Sequence, residues 1–107
     1  MKVYNKLVRD KIPEIIQKQG WTPVYHIMEN QEEYKEEVKE KILEEVIELI
    51  NAKTLRDILE EEGDLLEILN TFNNLNGIKF IDVIPSMGKK AEEKGVFEKR
   101  IYLERVE

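Results

Sequence analysis

Two short stretches of this sequence carry the same arrangement of acid: Glu44-Glu45-Val46-Ile47-Glu48 and Glu61-Glu62-Gly63-Asp64. Glu45 and Glu48 are three residues apart, as are Glu61 and Asp64, so within a helix each pair shares one face. Carboxylates gathered on adjacent helices repel one another. Hard divalent cations such as Mg²⁺ prefer oxygen ligands and relieve that repulsion. The chemistry these residues could do is therefore metal-assisted work on a polyanion. In a glutamate-rich helical protein such clusters are commonly solvated faces with lysines nearby, and spacing alone leaves both readings open.

Positioning the acids takes two long helices. Asn30, with Glu33 three residues on, fits a capping box and predicts a helix running to about Lys53. Thr54 with Asp57 predicts a second helix from Leu55 to about Asn76, stopped by Gly77. Only a turn separates them, so they must return antiparallel as an αα-hairpin. With a rise of about 1.5 Å per residue, Glu48, Glu61, Glu45 and Asp64 lie roughly 8, 11, 13 and 16 Å from that turn. All four then fall in one patch on adjacent helices.

A helical wheel refines this. Ile58, Leu59, Leu65, Leu66, Ile68, Leu69, Phe72 and Leu75 form one broad apolar arc on the second helix. Glu61 falls inside that arc and Asp64 at its edge, a costly place for charge unless it is paired or holds a metal. On the first helix the arc comprises Ile42, Leu43, Val46, Ile47, Leu49 and Ile50, with Glu45 flanking it and Glu48 farther out. Glu62 lies nearer the centre of its arc than Glu61, and geometry alone would choose it. Gly63 inside a helix costs about 1 kcal/mol relative to alanine, which a close approach by a helix or ligand would explain.

Elsewhere, Pro13 to Gln19 reads as a short helix ended by Gly20, and Val24–Met28 as a strand. Phe80 to Lys94 is a weaker helical stretch that Pro85 and Gly88 should kink or divide. Lys99–Arg105 alternates like a strand and would pair with the one near Tyr25. The fold expected is mostly α. It is a long-helix hairpin that forms a helical bundle on oligomerisation, with a small β element from the N-terminal region and the C-terminal strand. The 107 residues make one domain, 1–107, small enough that partner chains would complete its core.

Composition narrows the function classes. The absence of cysteine excludes disulfides, thiolate zinc sites and a cysteine nucleophile. A net charge of -6, with 37% charged residues, argues against binding nucleic acid polymers, which takes a basic face. Apolar runs are too short to span a membrane, and the first residues lack the apolar stretch of a signal peptide, so a cytoplasmic location is the default expectation.

Glu44-Glu45-x-x-Glu48 followed by Glu61-x-x-Asp64-Leu65-Leu66 resembles the metal-binding signature of MazG-like nucleotide pyrophosphohydrolases. That superfamily also holds the phosphoribosyl-ATP pyrophosphohydrolases and dimeric dUTPases. The opening Tyr4-Asn5-Lys6-Leu7-Val8-Arg9-Asp10-Lys11-Ile12-Pro13-Glu14-Ile15-Ile16 resembles a small single-domain, house-cleaning subgroup. Lys90-Ala91-Glu92-Glu93-Lys94-Gly95-Val96-Phe97 is similar to the family's Lys-x-x-x-Arg-Gly-x-Phe segment. These matches span nearly the whole chain, in the expected order.

The resemblance implies Mg²⁺ (or Mn²⁺ in its place) on Glu45, Glu48, Glu61 and Asp64. Lys90 and Lys94 would approach a nucleoside triphosphate, with Lys6 and Arg9 behind them. The implied reaction is hydrolysis to the monophosphate and pyrophosphate, with Glu44 or Glu45 orienting or deprotonating the attacking water. A homodimer or homotetramer is implied as well. The chain departs from the family with Lys94 where Arg is common, Val96 where a second Gly is common, and Glu62 where an apolar residue is usual. The lysine keeps the charge but loses bidentate phosphate geometry.

Two other functions fit the same residues. One is a catalytically silent helical interaction module whose acids only solvate it; the other is phosphoribosyl-ATP hydrolysis by the same chemistry. His26, the single histidine, reads as structural or exposed, and neither long helix carries the Glu-x-x-His of a di-iron bundle. Trp21 and Tyr25 could stack on a base or serve a core or subunit contact.

Overall fold

Asn30 starts the first long helix as the sequence predicts. Its side chain accepts from the Glu33 backbone N–H at 3.1 Å. The box is only half formed, because the Glu33 carboxylate turns instead to His26 Nε2 at 2.9 Å. Thr54 caps the next helix in the same way, accepting from the Asp57 N–H at 3.1 Å. In the computed structural model, which describes residues 1–107, these caps open α2 (Gln31–Asn51) and α3 (Leu55–Leu75). They follow α1 (Ile12–Lys18) and precede a 3₁₀ turn (Phe80–Asp82) and α4 (Val83–Lys94).

The stops follow local chemistry too. Gly20 and Gly77 take φ of 89° and 68° just beyond α1 and α3, conformations in which glycine has no Cβ to clash. Pro85 does not divide α4, contrary to expectation. It sits in the first turn, where its missing N–H has no intrahelical partner to lose, and Gly88 leaves the helix unbroken.

The expected β element does not form. Residues 21–30 and 100–107 carry no regular secondary structure, so the Val24–Met28 and Lys99–Arg105 strands are not present and do not pair. Two lone strands need an apolar face buried against something else. Here Val24, Ile27, Tyr102 and Leu103 all lie exposed.

α2 and α3 pack against each other across the short Ala52–Thr54 connection, and α4 packs on the 3₁₀ turn. Only Val38, Ile68 and Glu45 are buried. The inner row of α2 runs through Val38, Ile42, Glu45 and Leu49, and that of α3 through Ile58, Glu61, Leu65 and Ile68, all buried or half-buried. The broad arcs of the wheel therefore split. Leu43, Ile47 and Ile50 on α2, with Leu55, Leu59 and Leu66 on α3, form second stripes that stay exposed. The radius of gyration is 18.3 Å, against about 13 Å for a compact domain of this length.

Candidate metal centre

Glu45 and Glu61 occupy positions in the inner rows where apolar side chains would complete the seam between α2 and α3. Glu45 is only 6% exposed. One oxygen of each carboxylate, Oε2 in both, is buried with no hydrogen-bond partner. A buried acceptor left unpaired costs about 1–3 kcal/mol, and more when it is charged. Two of them, on facing helices, concentrate unpaired negative charge in the seam.

Around this pair the acids form two overlapping groups. Glu45, Glu61 and Asp64 each place a carboxylate oxygen within 4.8 Å of the others, and so do Glu44, Glu45 and Glu48. Glu45 belongs to both. Residues near the end of α2 thus meet residues near the start of α3, the register of an antiparallel pair. Asp64 is half-buried and Glu48 exposed. Glu48 nonetheless interacts with both Glu45 and Glu61.

The electrostatics divide the acids by their neighbours. Burial pushes the Glu45 carboxyl up, and the adjacent Glu48 charge adds to it. Glu61 is also raised, first by loss of solvent and then by the neighbouring Glu48 carboxylate. Glu44 goes the other way, held below its ordinary value chiefly by the Lys6 ammonium that donates to it. Lys6 is raised in turn by that hydrogen bond.

The basic side chains that reach the cluster come from the N-terminal segment and from α2 itself. Lys6 Nζ donates to Glu44 Oε1 at 2.9 Å, and Arg9 Nη2 to Asp64 Oδ1 at 2.8 Å. Lys41 was not singled out by sequence, yet it lies 3.2 Å from Glu44 Oε2 and 3.5 Å from Glu45 Oε1. Its spacing of three and four residues from those glutamates was the available signal. Lys90 and Lys94 are exposed on α4 and make no ion pair with the acids of this chain.

One expectation from the wheel is corrected. Glu62, nearest the centre of the apolar arc, is exposed, and Glu61 faces the seam instead. The centre of a broad arc lies between two half-faces, and only one of them meets α2. Nothing lies within 4 Å of a Cβ built on Gly63, so no helix of this chain makes the close approach that would account for it.

Oxygen donors from Glu45, Glu61 and Asp64, two of them buried without partners, fit the needs of a hard divalent cation. Comparison with protein-family models, with curated proteins and with solved structures finds no match to this chain.

Proposed function

We infer that the protein is a Mg²⁺-dependent hydrolase that cleaves nucleoside triphosphates to monophosphate and pyrophosphate, in a nucleotide-pool house-cleaning role. The observation that carries this reading is the pair of buried, unpartnered oxygens on Glu45 and Glu61, set among further carboxylates. The ordered resemblance of the N-terminal, Glu-rich and Lys90–Phe97 segments to MazG-like pyrophosphohydrolases supplies the substrate class.

Glu45, Glu61 and Asp64 would hold the metal, with Glu48 on the neighbouring group. Divalent ions bound there would neutralise phosphate charge and lower the pKa of a water nucleophile. Glu44 or Glu45 would orient or deprotonate the attacking water; Glu44, outside the Glu45–Glu61–Asp64 set, is held ionised by Lys6 and Lys41. Lys6 and Arg9 stand at the cluster and can meet phosphate oxygens, which favours stabilisation of the leaving pyrophosphate. Lys90 and Lys94 would reach a site from α4 of a second copy, in a homodimer or homotetramer that closes the exposed stripes into a bundle.

The test is pyrophosphate release from a panel of canonical and modified triphosphates with Mg²⁺, Mn²⁺ or EDTA, using wild type and Glu61→Gln. Metal-dependent release that is lost in the variant is expected. Preference for phosphoribosyl-ATP over the panel would move the assignment to that reaction. No release from any substrate, with no metal-linked stabilisation, would favour the helical interaction module.

A further inference from the structure

The first eleven residues form no helix until α1, yet they lie across the acidic face by two ion pairs, one to each long helix. Lys6 holds Glu44 of α2, and Arg9 holds Asp64 of α3. Asn5 takes φ of 46°, a left-handed conformation that asparagine tolerates, at the turn just before Lys6. Lys2 and Lys6 flank the Tyr4 ring at 5.1 and 5.7 Å from its centroid. Most of the segment's side chains are otherwise exposed.

We propose that this segment is a counter-ion strap, in which Arg9 occupies Asp64 until a divalent cation takes the carboxylate from it. The proposal rests on the metal reading of the cluster. Asp64 is at once a member of the Glu45–Glu61–Asp64 group and the acceptor for Arg9, so metal and guanidinium compete for one carboxylate. Lys6 holds Glu44, which lies in the other group, and keeps the strap in place while Arg9 lets go. Metal loading is thereby coupled to the freeing of a guanidinium beside the site.

Both partners of the Arg9–Asp64 pair are substantially exposed, at 58% and 41% of their side-chain surface. The competition is therefore modest, and Arg9→Gln should bind Mn²⁺ roughly two- to five-fold more tightly than wild type, the scale of an exposed ion pair. Affinity is read on the full chain by electron paramagnetic resonance of free Mn²⁺ at constant ionic strength. Lys11→Gln removes the same charge from the same segment without breaking an ion pair and should leave affinity unchanged. On wild type itself, Mn²⁺ should speed tryptic cleavage after Arg9. Normal Mn²⁺ binding with no change in Arg9→Gln, an equal change in Lys11→Gln, or cleavage indifferent to metal would each overturn the strap while leaving the metal site standing. Binding by Arg9→Gln but not by wild type would support it strongly. Absence of binding in every variant would overturn the metal reading and the strap together.

Discussion

Glu61 offers the sharpest separation of what a carboxylate costs from what it does. At neutral pH its charge sits in the α2–α3 seam beside Glu45 and Glu48, with one buried oxygen unpaired. Glu61→Gln removes that charge, so the metal-free variant should resist urea better than metal-free wild type at pH 7. With metal at 100 times its Kd, wild type should gain about 2.7 kcal/mol by mass action, and the variant should lose most of that gain. Denaturation curves with Mg²⁺ and with EDTA give all four values. A variant that is less stable without metal, or equally stabilised by it, would count against the site. The pH dependence carries the same sign. Glu45 and Glu61 have folded-state pKa values above the ordinary carboxylate value, so the folded state holds more protons in that interval. Their contribution is fully present below the unfolded pKa and is lost as pH rises through the folded values. Glu44 is lowered, and its contribution is lost only as pH falls through its depressed value. Metal-free stability should therefore decline as pH rises from the ordinary carboxylate range, with a shallower decline in Glu61→Gln. A pH series of urea midpoints measures both slopes.

The helices that carry these acids were legible in the sequence because their ends are set by local chemistry. Asn30 and Thr54 cap α2 and α3 as their spacing predicts, and Gly77 follows the end of α3. Thr54 also fixes where α3 begins after a three-residue connection, and hence which of its turns meets Glu45. Thr54→Ala removes the acceptor for the Asp57 N–H and should cost about 1 kcal/mol in urea denaturation. It should weaken metal-linked stabilisation as well if the cap sets the register of the cluster. What depended on tertiary partners was less legible. Glu61 rather than Glu62 faces the seam because α2 covers only one half of the apolar arc, and a wheel drawn for one helix does not know which half. Val24–Met28 is rich in β-formers and Lys99–Arg105 alternates, but either predicts a strand only where a neighbour accepts its edge and its apolar face. Pro85 departs from expectation for a different reason: its effect depends on its distance from a helix start that the sequence does not mark clearly.

At the scale of the molecule the protomer leaves unusually much apolar surface uncovered, and that surface is patterned. Leu43, Ile47 and Ile50 recur at four- and three-residue spacing on α2, and Leu55, Leu59 and Leu66 continue the same kind of stripe on α3. Their exposures run from 50% to 82%. Fully burying such a side chain is worth roughly 1.5–3 kcal/mol, so the two stripes hold ample driving force for association. A second copy would supply matching stripes, because helix pairs packed on helix pairs make a bundle. Glu62 lies between Leu59 and Leu66 on this face, and in such a bundle would need either a cation from the facing copy or a place at the rim. Sedimentation velocity at micromolar concentration should therefore show a dimer or tetramer. Leu59→Asp should shift it toward monomer: the side chain is 70% exposed in the protomer, so the charge interferes with the neighbour more than with the fold. A wild-type monomer with intact helical circular dichroism would mean that another partner covers the stripes. An oligomer indifferent to Leu59→Asp would move the contact to the exposed segments around Val24 and Tyr102, where the unpaired strand patterns lie.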